Sequence, residues 1–413
     1  MVGRRDFIAL LTGAVVAPRV AWGQASNDKL TVYASVGPRL SFYDADVERA
    51  TLALRGSVRL PANVQYSWPH ASRQHLYVVS SDGGPGQSGT RHHATALKID
   101  PASGALTEHG DSLALPSRPI HVTTDIPSAY LLTAYNNPSS VSVHRIKDDA
   151  TLGRGVEQIG PLDAGIYAHQ IRIAPSNAQA ILVTRGNDPE GGRAEDPGAL
   201  KVFAYKDGRL TSGVSIAPGS GYGFGPRHLD FHPRQPWVYV SRERENKLDM
   251  FTNDGTALAP SPRFSTTTLA EPGHLRPRQA AGTVHVHPNG RIVYVANRGN
   301  ATTEFAGRRV FLGGENSIAV FAIDPITGEP RAIQHADTHG FHPRTFHIDP
   351  SGRLLVAAHI LPQLVRSGDA VANVPACLSL FRIADDGRLT FVRKYDVEVG
   401  SDSMFWMGMV QRS

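Results

Sequence analysis

The sequence predicts an all-β fold, a β-propeller of seven four-stranded antiparallel blades, and three observations predict it. First, a pair of short apolar strands around a Pro or Asp turn recurs along the chain, as in IHVTTDIPSAYLLTAY, HLDFHPRQPWVYVS and TVHVHPNGRIVYVAN. Its anchors, Pro69, Asp125, Pro175, Pro233, Pro288 and Pro350, stand 50 to 62 residues apart. A steady period of that size marks stacked supersecondary units. Second, each copy continues into a third alternating strand (TALKID, SVSVHRI, LKVFAY, KLDMFT, SIAVFAID, LSLFRI), mostly followed by a Gly-containing turn and a weaker fourth strand. Polar Gly turns between period-two runs read as hairpins, and four such strands make a blade. Third, the two ends are complementary halves of one more unit.

Taken in order, residues 1–25 read as an export signal. Arg4 and Arg5 precede Asp6 and Phe7, an apolar run spans Ile8 to Ala17, and Gly23, Gln24 and Ala25 offer a small-residue cleavage site. This is the twin-arginine pattern, and the apolar run is too short for a membrane span. The expectation is a periplasmic protein, free of the membrane after signal removal, with residues 26–413 as one propeller domain. TVYASVG, LSFYD and TLALRG then supply strands two to four of a blade without a first strand, and MFWMGMV from Met404 supplies a first strand without the rest. Pairing them closes the ring and removes two open sheet edges. Between them lie six complete blades.

Composition excludes some functions. The formal net charge of +5 loses three arginines and one aspartate with the signal, leaving about +3, with no basic run. That is no nucleic-acid footprint. The single cysteine, Cys377, opens an apolar strand, where it reads as a small hydrophobe rather than a nucleophile. A propeller buries its core without a partner, so a monomer is expected.

Propeller geometry locates the chemistry. Residues just before strand one and just after strand two of each blade lie on the same face. Four long insertions, 83–95, 184–199, 299–315 and 359–376, follow strand two and crown that face. Arg118 (SRPIHV), Arg227 (GPRHLDF) and Arg344 (HPRTFHI) precede first strands, with Arg276 and Arg278 slightly upstream of theirs. Converging guanidinium groups suit an anionic ligand or a developing oxyanion. His169 (YAHQIRI) precedes a first strand, and Glu243 (YVSRERE) follows a second one. With Arg227 they form an acid/base and electrophile set. Arg118, His228, Arg278 and Arg344 are the expected substrate-binding residues.

Other signals carry less. His285 and His287 share a strand face, but first-strand positions are crowded core positions, and no metal or other cofactor is expected. His92 and His93 fall in an inserted loop. Gly219, Gly221, Gly223 and Gly225 lack the strand–turn–helix context of a phosphate loop and read as a flexible approach to Arg227.

These segments carry a family resemblance. GPRHLDFHP with VYVSRERENKLDMF, VHVHPNGRIVYVANR, HPRTFHIDPSGRLLVAA and the terminal MFWMGMV resemble the seven-bladed propeller lactonases, a group that includes cycloisomerase-type 6-phosphogluconolactonase and the carboxy-muconate lactonizing enzymes. The resemblance covers essentially all of the chain after the signal. It implies that a His, an Arg and a Glu at the channel mouth are catalytic, and these match His169, Arg227 and Glu243. A further family arginine precedes the next blade's first strand; here Gln279 falls there with Arg278 beside it, and Thr283 replaces a family acidic residue. The expected function is hydrolysis of an anionic or sugar-derived lactone, a small-molecule substrate. The alternatives are a lactone-forming isomerase and a non-enzymatic binding propeller.

Overall fold

The structure, a computed structural model, describes residues 29–412. The export segment expected over residues 1–25 lies outside them. Seven sheets, each with a path of four antiparallel strands, follow one another along the chain. The closing blade joins Leu30–Val36, Arg39–Asp46 and Thr51–Arg59 to the last strand, Met407–Gln411. Leu30 pairs with Gln411 and Ala34 with Met407. That strand starts three residues later than the apolar segment from Met404 suggests, because Met404 donates its backbone N–H to Ile360 O (2.9 Å). Among the described residues no helix is long and apolar enough to cross a membrane.

The core lies between blades rather than within them. A separate apolar cluster fills each junction, for example Val183, Leu200, Leu229 and Val240 between the fourth and fifth blades in chain order. The ring-closing junction packs Val32, Val356, Met404 and Met407. Several junctions also have a polar latch from a tyrosine of the second strand. Tyr33, Tyr239 and Tyr294 are fully buried and donate their hydroxyls to the carbonyls of Gly104, Gly328 and Gly387, each at 2.8 Å. Those glycines sit in the hairpin turn of the next blade. Gly328 has φ +79° and a Cβ there would lie 2.7 Å from Trp237, so the turn needs glycine on two counts.

Two of the four insertions are themselves structured. Residues 299–315 hold the hairpin Thr302–Phe305/Arg308–Phe311, and residues 359–376 hold Gln363–Ser367/Ala370–Val374. They meet where Arg366 lies 4.3 Å over the Phe305 ring. The first insertion is shorter than expected. His92 and His93 belong to the third strand, His92–Ile99, and His92 is buried with Nδ1 2.8 Å from Ser81 Oγ.

Candidate active site

First strands enter the ring through a local irregularity that aims side chains into the mouth. In Ala168–Ile173 the register shifts between Ala168 and Gln170, which puts His169 at a β-bulge. The same shift places Arg227 at a bulge in Pro226–Phe231, Arg344 in Pro343–Ile348 and Gln65 in Asn63–Pro69. A bulge re-aims the extra residue out of the ladder. These residues therefore stand inside the first strands, not before them, and the chain spends its ladder regularity to point them inward.

Second strands contribute their last residues to the same place. Glu243 follows Trp237–Arg242, and its backbone is fixed by its N–H to Gly225 O (2.9 Å) and by Ala281 N–H to its carbonyl (3.1 Å). Arg298 ends Ile292–Arg298, and Arg185 follows Gln179–Thr184. Three guanidinium groups clamp the one carboxylate. Arg227 Nε is 3.2 Å from Glu243 Oε1, Arg298 Nη2 contacts the same oxygen, and Arg185 Nη1 is 3.4 Å from Oε2. Arg298 Nη1 also lies 3.2 Å from His342 Nε2.

Arg344 brings a further cation without an acid of its own. Its Nε donates to Phe405 O at 3.0 Å, and its guanidinium lies 3.6 Å over the Phe405 ring. The positive charges outnumber the carboxylates that answer them: Arg185, Arg227, Arg298 and Arg344 face Glu243, with Asp188 3.0 Å from Arg185 as the one further acid paired with them among the described residues. Burial, reinforced by the neighbouring guanidinium groups, pushes the pKa values of Arg298 and Arg344 well down, and burial takes Arg227 to about 10. Such crowding is costly unless an anion relieves it.

His169 sits among these charges as a neutral ring. Burial first, then Arg227, Arg344, Arg185 and Arg298, hold its pKa well below the usual 6.5. Its Nδ1 is buried without a hydrogen-bond partner. The His228 ring is 5.2 Å away, and His228 Nε2 is 3.5 Å from Arg227 Nη1. The structure thus brings together His169, Arg227, Glu243, His228 and Arg344.

Arg118 joins them at the Phe405 ring, whose centroid is 5.8 Å from its guanidinium and 3.6 Å from that of Arg344, whereas Arg278 stands apart. Arg118 is buried and donates both Nε (3.0 Å) and Nη2 (2.8 Å) to Gln65 Oε1, so its fork is engaged in holding a neighbouring first strand. Arg278 is exposed on the approach loop with φ 58°, while Gln279 beside it is buried and exchanges hydrogen bonds with the Glu315 backbone at 2.7 and 3.0 Å. Arg185 and Arg298 were not singled out in the sequence. The signal was present: each closes a second strand (ILVTR, IVYVANR), the same position that exposes Glu243.

Neighbouring residues have structural duties. The glycine-rich stretch before Arg227 is laced to the 184–199 insertion: Glu195 Oε1 accepts the Gly223 N–H at 2.7 Å and Gly198 N–H donates to Gly221 O at 2.9 Å. Arg244 ties that insertion down through Asp188 (2.7 Å) and Glu195. His285 and His287 part company: His287 Nε2 lies 2.8 Å from Gly352 O, whereas His285 faces Asp230. Among the described residues, no three His, Cys, Asp or Glu side chains are grouped to hold a metal ion. Cys377 is buried against His359, Sγ to Nδ1 3.3 Å.

Comparison with known proteins now decides the family. The family described as Lactonase, 7-bladed beta-propeller, matches residues 30–366. The chain belongs to that family. It is 30% identical to the 6-phosphogluconolactonase of Bacillus subtilis over 326 residues, covering 77% of this chain and 83% of the relative. A 6-phosphogluconolactonase of Yersinia enterocolitica is 26% identical over 84% of this chain and 89% of its own. In fold, the periplasmic gluconolactonase PpgL of Pseudomonas aeruginosa superposes with a TM-score of 0.68 at 21% identity, covering 93% of this chain and 100% of that one. Membership in the lactonase family makes the protein a carboxylic ester hydrolase that acts on a lactone ring.

Proposed function

We propose that the protein is a periplasmic hydrolase of an anionic, sugar-derived lactone, with Arg227 as electrophile and His169 as base. The observation that carries the reading is the clamp: one carboxylate, Glu243, held by three guanidinium groups, with Arg344 left over and a neutral histidine beside them. The surplus cations would bind the substrate's phosphate or carboxylate. Arg227 would stabilise the charge that appears on the carbonyl oxygen, the kind of interaction that lowers the barrier rather than merely binding.

The steps balance without a cofactor. His169 takes a proton from water as the water oxygen attacks the lactone carbonyl carbon. The tetrahedral oxyanion forms against Arg227. On collapse the ring C–O bond breaks, and the proton held by His169 passes to the departing ring oxygen, leaving a hydroxy acid. Glu243, engaged on both oxygens, is a poor candidate for the base; it positions Arg227, Arg185 and Arg298. Substrate binding has a further effect. The bound anion offsets the arginine charges that depress His169, so its basicity rises when substrate is present.

The test is an acid-release assay on 6-phosphogluconolactone, glucono-δ-lactone and γ-butyrolactone. The anionic lactone should be preferred. Because kcat/KM reports the free enzyme and kcat the complex, the acid limb of kcat should lie at higher pH than that of kcat/KM. His169→Gln should remove that limb along with most turnover. If Glu243→Gln removes it and His169→Gln leaves it in place, the base is Glu243. Location is tested separately: Arg4→Lys with Arg5→Lys should hold the precursor in the cytoplasm, and export of that double variant would argue for a general secretory signal.

A further inference from the structure

The half of the central channel away from the arginine mouth holds a cavity of about 260 Å³, bounded by the Pro69 and Pro288 turns. That is room for about nine waters at ~30 Å³ each, or for one six-membered ring with its substituents, and it falls short of the roughly 300–1,000 Å³ of sites for larger ligands. Trp68, Trp406 and Met409 form an apolar wall, and Arg172, Asp230, His285 and His347 face it from other blades.

Charge here is balanced, unlike at the mouth. Arg172 Nη2 is 3.1 Å from Asp230 Oδ1, and Asp230 Oδ2 accepts the Val286 N–H at 2.9 Å with His285 Nδ1 3.6 Å away. Burial raises the Asp230 pKa, but Arg172 and His285 outweigh it and bring it to about 2, so the pair stays ionised. Burial takes His347 down to about 3, so that ring is neutral. An extra charge entering this space would find no counter-ion.

Unspent hydrogen-bonding capacity remains. His285 Nε2 and Trp406 Nε1 are buried without partners. The indole N–H can only donate, whereas a neutral imidazole can donate or accept. A hydroxyl group, which does both, is the ligand function that satisfies such a mixture, and buried polar atoms left unpaired each cost free energy. The flat Trp68 indole, already covered on one side by Arg172 at 5.0 Å, offers an apolar surface for a ring.

We propose that this cavity is a second ligand site, for an uncharged, hydroxyl-bearing ring of monosaccharide size. It does not rest on the hydrolase assignment. His228 lines its inner end and also touches Arg227, so the two sites share one side chain.

Two tryptophans line the cavity, so intrinsic fluorescence reports its occupancy, with calorimetry as a second readout. D-Glucose is the uncharged probe and D-gluconate the anionic one. Glucose should give a saturable change that Met409→Phe and Trp68→Leu each weaken by about tenfold or more, ~1.4 kcal/mol, while Arg344→Met leaves it in place. Gluconate should show the reverse pattern. Met409→Phe is a modest apolar exchange, so its melting curve and circular dichroism should match the parent even if Trp68→Leu folds poorly. Absence of saturable glucose binding overturns the proposal, as does glucose binding that survives Met409→Phe or is abolished by Arg344→Met.

Discussion

The two rims of the propeller differ in how faithfully they repeat. At the turn rim the six complete blades close alike in the backbone, the N–H of His70, Asp125, Ala174, His232, His287 and Asp349 each donating to the carbonyl five residues on, and two of them add an aspartate. Asp125 Oδ1 accepts the N–H groups of Ala129 (2.8 Å) and Tyr130 (2.9 Å), and Asp349 Oδ1 accepts those of Arg353 and Leu354 (2.7 Å each). At the mouth rim, equivalent positions hold different chemistry: Gln65, His169, Arg227 and Arg344 at the first-strand bulges, and Arg185, Glu243, Arg298 and Ile360 at the second-strand ends. Repetition builds the scaffold, and departure from repetition marks where the chain does chemistry. The same scaffold tolerates like charges at one rim because it is over-determined at the other.

The contrast can be broken most severely at ring closure. Deleting Met404 to Ser413 removes the buried Met404, Trp406, Met407 and Val410. At roughly 1.5–3 kcal/mol per large buried apolar side chain, the loss is several kcal/mol. A melting temperature equal to that of the full chain would refute the closure. Next in size, Arg227→Ala should lower kcat by about 10²–10³-fold without lowering the melting temperature, and Arg227→Lys should restore activity only in part, because the planar fork is lost. A melting temperature that falls with activity would instead make Arg227 a structural residue.

A pH scan reads the buried histidines, those of the mouth together with His347 in the far half of the channel. Burial, then the arginines, hold the native pKa values of His169, His228 and His342 well below 6.5. The unfolded chain therefore binds protons below pH 6.5 that the native chain refuses, so stability falls as pH drops through that window and is flat above it. Each such histidine contributes up to about 1.4 kcal/mol per pH unit. Thermal melts from pH 8 to 5 should show the decline, and an increase in stability toward pH 5 would contradict it. Smaller effects follow on each rim. Tyr239→Phe removes one latch and should cost about 1 kcal/mol, read by denaturant unfolding. Arg344→Met removes a buried cation without an acidic partner, so it should raise the melting temperature by roughly 2 °C while raising KM for an anionic lactone.

The repeating parts were legible in the sequence for a physical reason. Period-two alternation and turn anchors are local, so strands such as Pro226–Phe231 and Ile292–Arg298 stand out without knowledge of their neighbours. The closing blade was legible because two half-units have only each other to complete them. The site was legible only in outline. That Arg227 and Glu243 share a face follows from blade geometry, but that Arg118 spends its fork on Gln65 depends on a contact 53 residues away in sequence. The hairpins within the 299–315 and 359–376 insertions were hidden for a related reason: TTEF and QLVRS are too short and too mixed to signal strands. The bulges escaped altogether, since a ladder shift is a property of two strands and not of one.

Ring closure by a shared blade also brings residues 29 and 412, the limits of the described structure, together. Arg412 donates its N–H to Lys29 O at 2.8 Å, beside the Leu30–Gln411 pair. Both lie at the rim of tight turns, on the far side from the arginines. A short linker between residues 29 and 412 would therefore allow a circular permutant, opened instead at an exposed connection such as Gly160. A tether attached at residue 29 or residue 412 would likewise hold the protein to a surface with its mouth turned outward to the solution.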